Sequence, residues 1–254
     1  MMRKDVQTEF SRQAEQMDSA AAFRAEDMLS RLVKIVNPSP SDRLLDLACG
    51  PGIVAAALAP LASEIIGVDA TPEMLRLARG RFARSGLENG FFEVGAAEAL
   101  PFGKASFDHV VTRLSLHHFP DIRAALAEIR RTLRPMGRLT VADIICSDDD
   151  HESHLHNALE QLRDPTHIRM LSGPELLKVL RESGFAILSE DTWQQDRDFS
   201  EWAQIVSNPT RTEPLRQVMR ALATAGVDAG IRLKEDSGEL YFVHTWLLVK
   251  ARIK

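Results

Sequence analysis

Short apolar segments alternate with amphipathic segments of helical period from residue 43 onward. The apolar segments lie at residues 44–48, 64–68, 90–94, 107–111 and 138–145, with predicted helices at 53–61, 72–85 and 122–133. Strands joined through helices usually lie parallel in one sheet, because the crossover helix returns the chain to the same edge. The pattern therefore predicts an α/β domain with a largely parallel sheet.

Residues outside this core predict further elements at both ends. Spaced apolar positions predict a helical segment within residues 1–40, and the polar stretch 147–170 is an insertion longer than an ordinary connection. Beyond it we predict helices at 174–183, 199–206 and 213–225 and strands at 186–191 and 240–249. Thr71 and Asp121 precede helices and are expected to cap them. The chain thus divides into an N-terminal segment, 1–40, and a main domain, 41–254, with a cap insertion at about 147–170.

Composition narrows the classes of partner. The 254 residues include 31 basic and 36 acidic ones, a net charge of -5, which gives no general attraction to nucleic acid or to anionic membranes. Two cysteines, Cys49 and Cys146, are too few for a disulfide framework and are not spaced as a metal knuckle. No segment approaches the roughly 18 apolar residues that span a bilayer. We expect a cytoplasmic protein without a nucleic-acid or membrane partner.

A glycine-rich turn follows the first predicted strand. Gly50 and Gly52 open a helix, and Asp69 follows Gly50 by 19 residues, where a carboxylate can accept ribose hydroxyls. This much suits a dinucleotide as well. Asp46 lies just before the turn, however, and Pro51 removes an amide that a pyrophosphate would need. A carboxylate there can attract the cationic amino-acid end of S-adenosylmethionine, so the turn favours that ligand.

Five motifs in register carry a family resemblance. They read LLDLACGPG (44–52), IGVDATPEM (66–74), GAAEALPF (95–102), SFDHVV (106–111) and LRPMGRL (133–139). The chain resembles the class I S-adenosylmethionine-dependent methyltransferases, within them the ubiquinone/menaquinone C-methyltransferase-like branch (methyltransferase type 11). The resemblance is strong over about residues 40–146, and a weaker one to a bacterial subgroup continues through LRDPTHIR (162–169). It implies a Rossmann-like three-layer sandwich with a seven-stranded sheet, the last strand antiparallel, and a small cap from the N-terminal helices and the insertion.

The resemblance also implies which residues contact the cofactor. Those for the methionine end are Asp46, Ala48, Gly50 and Gly52, with Arg113 and Leu114 near the methionine moiety. Those for the ribose and adenine are Asp69, Ala70, Met74, Ala97 and Glu98. The chain departs from the family pattern in two features. Ala96 replaces a common aspartate, and the N-terminal segment lacks the tyrosine that often covers the cofactor in relatives, so Phe10 and Met17 would have to cover it here.

Catalysis is expected after the fourth strand, at the edge where open α/β sheets bind substrates. The segment SLHHFP (115–120) places His117 and His118 there, and we take His117 as the base if one acts. The alternative is that one ring shapes the cofactor pocket or caps the helix after Asp121. Some acceptors need no base, because an ionised oxygen attacks directly.

The insertion offers polar candidates for acceptor binding. One possibility is that an anionic or carbonyl-bearing acceptor is bound by Arg163, His167 and Arg169. The alternative is that these residues form a buried ion pair that holds the cap to the sheet. His154 and His156 could converge with a carboxylate on a metal, but a polar surface stretch is the commoner outcome, and we expect no metal. Trp193, Trp202 and Trp246 could form an aromatic wall or simply core.

Together these features predict a methyltransferase that acts on a small metabolite, such as an aromatic or quinone-like one, at carbon, oxygen or nitrogen. The partner would be a small-molecule acceptor, and a homodimer is compatible with the sequence. Two alternatives stay open: a tRNA or protein methyltransferase, which would call for a basic face, and a cofactor-binding regulator or scaffold without turnover.

Overall fold

The computed structural model of the protein describes residues 4–19 and 26–254. Its strands are β1 (Arg43–Leu47), β2 (Glu64–Asp69), β3 (Gly90–Val94), β4 (Phe107–Arg113), β5 (Leu133–Ile145), β6 (Phe185–Asp198), β7 (Lys234–Asp236) and β8 (Glu239–Ile253). They form one sheet in the order β3-β2-β1-β4-β5-β8-β6, parallel from β3 to β5, with β8 antiparallel to both of its neighbours. The predicted fold class is confirmed. The short β7, which the sequence did not predict, pairs with β8 as an eighth strand.

Helices cover both faces of the sheet and make it the middle of three layers. They are α1 (Lys4–Ser19), α2 (Glu26–Val36), α3 (Ile53–Leu58), α4 (Pro72–Arg84), α5 (Ile122–Thr132), α6 (Asp150–Arg163), α7 (Gly173–Glu182), α8 (Phe199–Val206) and α9 (Pro209–Thr224). Leu126 of α5 and Leu180 of α7 belong to one buried core, and Leu58 of α3 and Leu75 of α4 belong to another. No helix in the described ranges is long and apolar enough to cross a membrane.

Only one of the two predicted helix caps forms. The carboxylate of Asp121 accepts a hydrogen bond from the Ala124 amide at 3.0 Å, as expected for an N-terminal cap. The prediction for Thr71 is wrong, because its side chain makes no capping hydrogen bond to α4. Instead Pro72 starts the helix, and the Thr71 amide donates to Asp69.

The insertion after β5 contains a helix that the sequence did not reveal. Asp149 caps α6 by accepting from the amides of His151 and Glu152 at 2.9 and 3.0 Å. The inward face of α6 buries His156, Asn157 and Glu160 beside Leu159. A helix whose buried face is largely polar shows no apolar period, which explains why the pattern predicted no helix there.

A third buried core lies under α6. It joins Leu159 to α8, α9 and β8 through Phe199, Trp202, Leu215, Met219 and Phe242. Beside it β6 continues to Asp198, seven residues beyond the predicted end, with a buried arginine at position 197. This end of the sheet therefore has a separate hydrophobic core, which α6, α8 and α9 cover.

Candidate cofactor and acceptor site

A large cavity opens at the carboxyl ends of β1, β2 and β4. It comprises about 1000 Å³ of space between the protein atoms, part of which is open to solvent. Ten of the predicted cofactor residues line it: Asp46, Ala48, Gly50, Asp69, Ala70, Met74, Ala97, Glu98, Arg113 and Leu114. Phe10 and Met17 of α1 also contribute to its wall. The loop ends of separate strands thus meet in one site.

The glycine turn is shaped by close backbone packing. Gly50 and Gly52 have φ of 51° and 74°, in the left-handed region that favours glycine. The Gly50 amide donates to Asp69 Oδ2 at 2.9 Å, which ties the turn to the end of β2. Gly52 itself lies off the cavity wall, and a Cβ there would be 2.8 Å from Ala78 Cβ of α4. Its evident role is to let α3 pack against α4.

We expect Gly52→Ala to lower the free energy of unfolding by about 1–3 kcal/mol more than a matched control, because the new methyl group collides with Ala78. The control is Gly86→Ala, where φ is 64° and a Cβ would meet nothing within 4 Å. Gly86→Ala should lower the free energy of unfolding by about 1–2 kcal/mol, because an alanine is strained in the left-handed conformation. Urea unfolding of both variants measures the difference, and equal losses would contradict the packing role.

Opposite charges face each other at one end of this cavity. Asp46 is 1% exposed, and its Oδ2 has no hydrogen-bond partner among the described residues. Burial raises the pKa of Asp46 to about 7, although the guanidinium of Arg113 opposes the rise. Burial likewise lowers the pKa of Arg113 to about 10, and Asp46 opposes that shift. A carboxylate beside a guanidinium complements the ammonium and carboxylate of an amino-acid group.

The other end of the cavity suits an adenine ring. Met74, Ala70 and Ala97 give it apolar walls, and Glu98 places a buried Oε1 without a hydrogen-bond partner in the described structure. A carboxylate oxygen there can accept from an exocyclic amino group. The carboxylate of Asp69 stands between these ends and keeps acceptor capacity beside its two amide donors. The residues present therefore fit S-adenosylmethionine along its whole length.

A second cavity, with about 610 Å³ of space that is partly open to solvent, adjoins the first. Met17, Leu114 and His118 line both cavities and form the wall that they share. Other predicted residues on its wall are His117, Arg163, His167, Trp202 and Trp246. Residues that the sequence analysis did not select also line it: Glu160, Asp164, Arg197 and His244.

His117 forms a close pair with a carboxylate that comes from β5. Its Nδ1 lies 2.7 Å from Asp143 Oδ1; the side chain of His117 is 12% exposed and that of Asp143 is 4% exposed. Asp143 also accepts from the backbone amides of Leu116 and Ile144, each at 2.9 Å. Burial alone would lower the pKa of His117, but the Asp143 carboxylate outweighs it and raises that pKa above 6.5. A histidine held through Nδ1 keeps Nε2 as its basic nitrogen.

His118 has a different environment. Its Nδ1 lies 3.0 Å from the carbonyl oxygen of Thr166, and the ring of Phe10 packs edge-on at 5.0 Å. Burial, together with the neighbouring His117, lowers the pKa of His118 to about 4. A neutral ring of such low basicity is a poor proton acceptor and a good wall between the two cavities.

The three residues predicted to bind the acceptor occupy different places. Arg163 lines the second cavity, but its guanidinium pairs with Glu160 at 2.8 Å and donates to the Trp202 carbonyl at 3.2 Å. His167 lines it too, with Nε2 at 2.9 Å from Asn157 Oδ1. Arg169 lies outside this cavity, in an exposed ion pair with Glu175 at 2.8 Å. Arg163 and Arg169 therefore serve mainly as structural ion pairs in this arrangement.

The predicted histidine pair of the insertion does not converge. His154 is on the exposed side of α6, whereas His156 is buried. His156 instead meets Glu160 and His244, with ligand atoms of the three within 4.8 Å of one another. The Glu160 charge already pairs with Arg163. We assign no metal to this cluster, which forms part of the polar wall.

Asp143 and Arg197 are functional candidates that sequence reasoning missed. Each is a charged residue near the end of a strand, and each is buried. A lone charge inside an apolar run such as VADII (141–145) was the available signal for Asp143. No such signal marks Arg197, because its neighbours in sequence are polar as well.

Comparisons with known proteins agree with this geometry. A family model described as a methyltransferase domain matches residues 45–141. The Bacillus subtilis (strain 168) protein named Uncharacterized methyltransferase YcgJ is 32% identical over 223 residues, 88% of this chain and 87% of that protein. The crystal structure of YcgJ has a TM-score of 0.82 at 28% identity and covers 90% of this chain and 99% of that one.

Two further relatives match shorter stretches of the chain. The O-methyltransferase cnsE of Penicillium expansum is 31% identical over 166 residues, 64% of this chain and 59% of that protein. The demethylmenaquinone methyltransferase of Thermus thermophilus is 39% identical over 115 residues, 44% of this chain and 52% of that protein. The chain belongs to the class I S-adenosylmethionine-dependent methyltransferases, and S-adenosylmethionine is its cofactor.

Proposed function

We propose that the protein methylates a hydroxyl group of a small, planar organic acceptor bound in the second cavity. The observation that carries this proposal is the His117–Asp143 pair, 2.7 Å apart, on the wall of a cavity that adjoins the cofactor site. A phenol or enol is a weak nucleophile until its proton leaves, and a histidine oriented by a carboxylate is suited to accept that proton. The relative named as an O-methyltransferase supports the same acceptor atom.

In this proposal the first cavity binds the cofactor and the second binds the acceptor. When bound, S-adenosylmethionine supplies a methyl group activated by its positively charged sulfur. Asp46, Asp69 and Glu98 bind the cofactor, while Trp202 and Trp246 form part of the wall around a planar acceptor. His117 accepts the acceptor's hydroxyl proton at Nε2, and Asp143 holds the ring through Nδ1. Phe10 and Met17 cover the cofactor cavity and exclude water.

Asp143 is a positioning residue in this scheme. Its carboxylate is fixed by the amides of Ser115, Leu116 and Ile144, so it cannot rotate away from the imidazole. The carbonyl of His117 also accepts from the amides of Ile168 and Arg169, at 2.8 and 3.1 Å. These hydrogen bonds attach the segment after α6 to the loop after β4 that carries His117. The insertion would thus close the acceptor cavity and hold the base in place.

A matched pair of acceptors tests the acceptor atom. Catechol and 1,2-diaminobenzene have the same ring and differ in offering hydroxyl or amino groups. We expect formation of S-adenosylhomocysteine and an O-methylated product with catechol or a related quinol, and none with the diamine. Mass spectrometry of the product locates the methyl group. Product from the diamine alone would contradict O-methylation, and tight cofactor binding without turnover on any acceptor would favour a regulator.

A further inference from the structure

A buried guanidinium faces the acceptor cavity without a close counter-ion. Arg197, near the end of β6, lines that cavity and is 5% exposed. Its Nε and Nη2 atoms have no hydrogen-bond partner among the described residues. The carboxylate of Glu201 lies 3.7 Å from Nε, beyond hydrogen-bond distance, and that side chain is 37% exposed. An arginine stays charged in proteins, so burial without close pairing is costly unless a ligand offsets it.

A second unsatisfied donor lies on the same wall. Trp202 is 2% exposed, and its indole Nε1 has no hydrogen-bond partner in the described part of the chain. Guanidinium and indole N–H groups can only donate, so their partner must offer acceptor atoms. Water can accept such bonds but brings no negative charge, and the Glu201 carboxylate stays beyond hydrogen-bond distance of Nε. The missing partner is therefore best matched by an oxygen anion.

Acidic side chains around the cavity are already engaged. Their closest partners are His117 for Asp143 (2.7 Å), Arg163 for Glu160 (2.8 Å) and the Thr166 hydroxyl for Asp164 (2.7 Å). None of these three carboxylates hydrogen-bonds Arg197 within the ranges that the structure describes. Arg197 thus remains as the cation of this cavity that lacks a close anionic partner.

We propose that the acceptor is an organic acid whose carboxylate is bound by Arg197, with the Trp202 indole as an additional donor. This inference rests on the proposed function, because it places the acceptor in the second cavity. His117 would act on a hydroxyl at one end of the molecule while Arg197 holds an acidic group at the other. A guanidinium fork fits a carboxylate with two parallel hydrogen bonds, which would fix the acceptor's orientation.

Binding to the S-adenosylhomocysteine-loaded protein tests the proposal without turnover. The probes are benzoate, 4-hydroxybenzoate and 3,4-dihydroxybenzoate, each beside its neutral methyl ester, measured by titration calorimetry. We expect at least one acid to bind about 10-fold or more tightly than its ester. In Arg197→Met that preference should disappear, with ester affinity unchanged. Arg197→Lys should keep a weaker preference, because it retains the charge and loses the fork.

The controls separate binding from folding. Arg123→Met removes an exposed arginine that pairs with Glu182 and should leave every affinity unchanged. The melting temperature of unliganded Arg197→Met should not fall, because the variant removes a poorly paired buried charge. Equal affinity of acid and ester in all three pairs would overturn the proposal. So would the absence of heat from every acid up to about 20 mM, a concentration at which even weak ionic binding is visible.

The outcome also distinguishes this inference from the proposed function. An acid preference that depends on Arg197, without methyl transfer to any hydroxyl, would overturn O-methylation and leave the anion site standing. Methyl transfer to a hydroxyl without any acid preference would overturn the anion site alone.

Discussion

Replacing His117 with alanine is expected to lower kcat by about 10²- to 10⁴-fold, the usual contribution of a general base. The loss follows from the position of His117 on the acceptor cavity and from its hydrogen bond to Asp143. The dissociation constant for S-adenosylmethionine should change little, because His117 does not line the cofactor cavity. Single-turnover kinetics with the identified acceptor measure the change. His151→Ala, an exposed histidine of α6, is the matched control and should retain full activity.

The pH profile provides a second readout for the same pair. His117 must be neutral to accept a proton, so the rate should rise with pH through a pKa above 6.5. Burial lowers this pKa, while Asp143 and, to a smaller extent, Glu160 and Asp164 raise it, so Asp143→Asn should move the acidic limb to lower pH. A merely structural Asp143 would lower the rate without moving the limb. If His118→Ala caused the larger loss, with His117→Ala near wild type, the base would be His118.

The residues predicted for the cofactor line one cavity because several of them are marked locally in the sequence and the family resemblance implied the others. Asp46, Gly50 and Asp69 each sit at a strand end beside a recognisable turn, and parallel strands bring such ends to one edge. The alternation of apolar and helical segments predicted the parallel sheet, whereas the order of its strands comes from the structure. The ten predicted residues on the cavity wall are largely a consequence of this topology.

The acceptor half depends on contacts between residues far apart in the chain. His117 and Asp143 are brought together because β4 and β5 are neighbours, although 26 residues separate them. Arg197 and His244 lie on antiparallel strands whose pairing register no local pattern reveals. The buried face of α6 carries polar residues beside Leu159, because part of that face lines the acceptor cavity. A helix that lines a polar cavity lacks the periodic apolar residues by which helices are recognised in a sequence.

Replacing Asp46 with asparagine is expected to weaken S-adenosylmethionine binding by about 30- to 1,000-fold, the range for removing one partner of a buried charge pair. The carboxylate of Asp46 is 1% exposed and lies at the cavity end that complements an amino-acid group. Without it, the ligand's ammonium would lose its counter-charge while Arg113 stays nearby. Titration calorimetry measures the affinity. Asp121→Asn, which keeps the cap of α5 and lies outside the cavity, is the matched control.

The same carboxylate should make cofactor binding depend on pH. Burial raises the pKa of Asp46 to about 7 in the absence of ligand, whereas the bound ammonium requires the ionised form. Affinity should therefore fall as pH decreases through 7, approaching about tenfold per pH unit, and level off at higher pH. Asp46→Asn has no group to ionise, so the difference between wild type and variant isolates this residue from the ligand's own titration. A wild-type affinity that stays constant from about pH 6 to about pH 8 would show that the Asp46 carboxylate does not pair with the ligand's ammonium group.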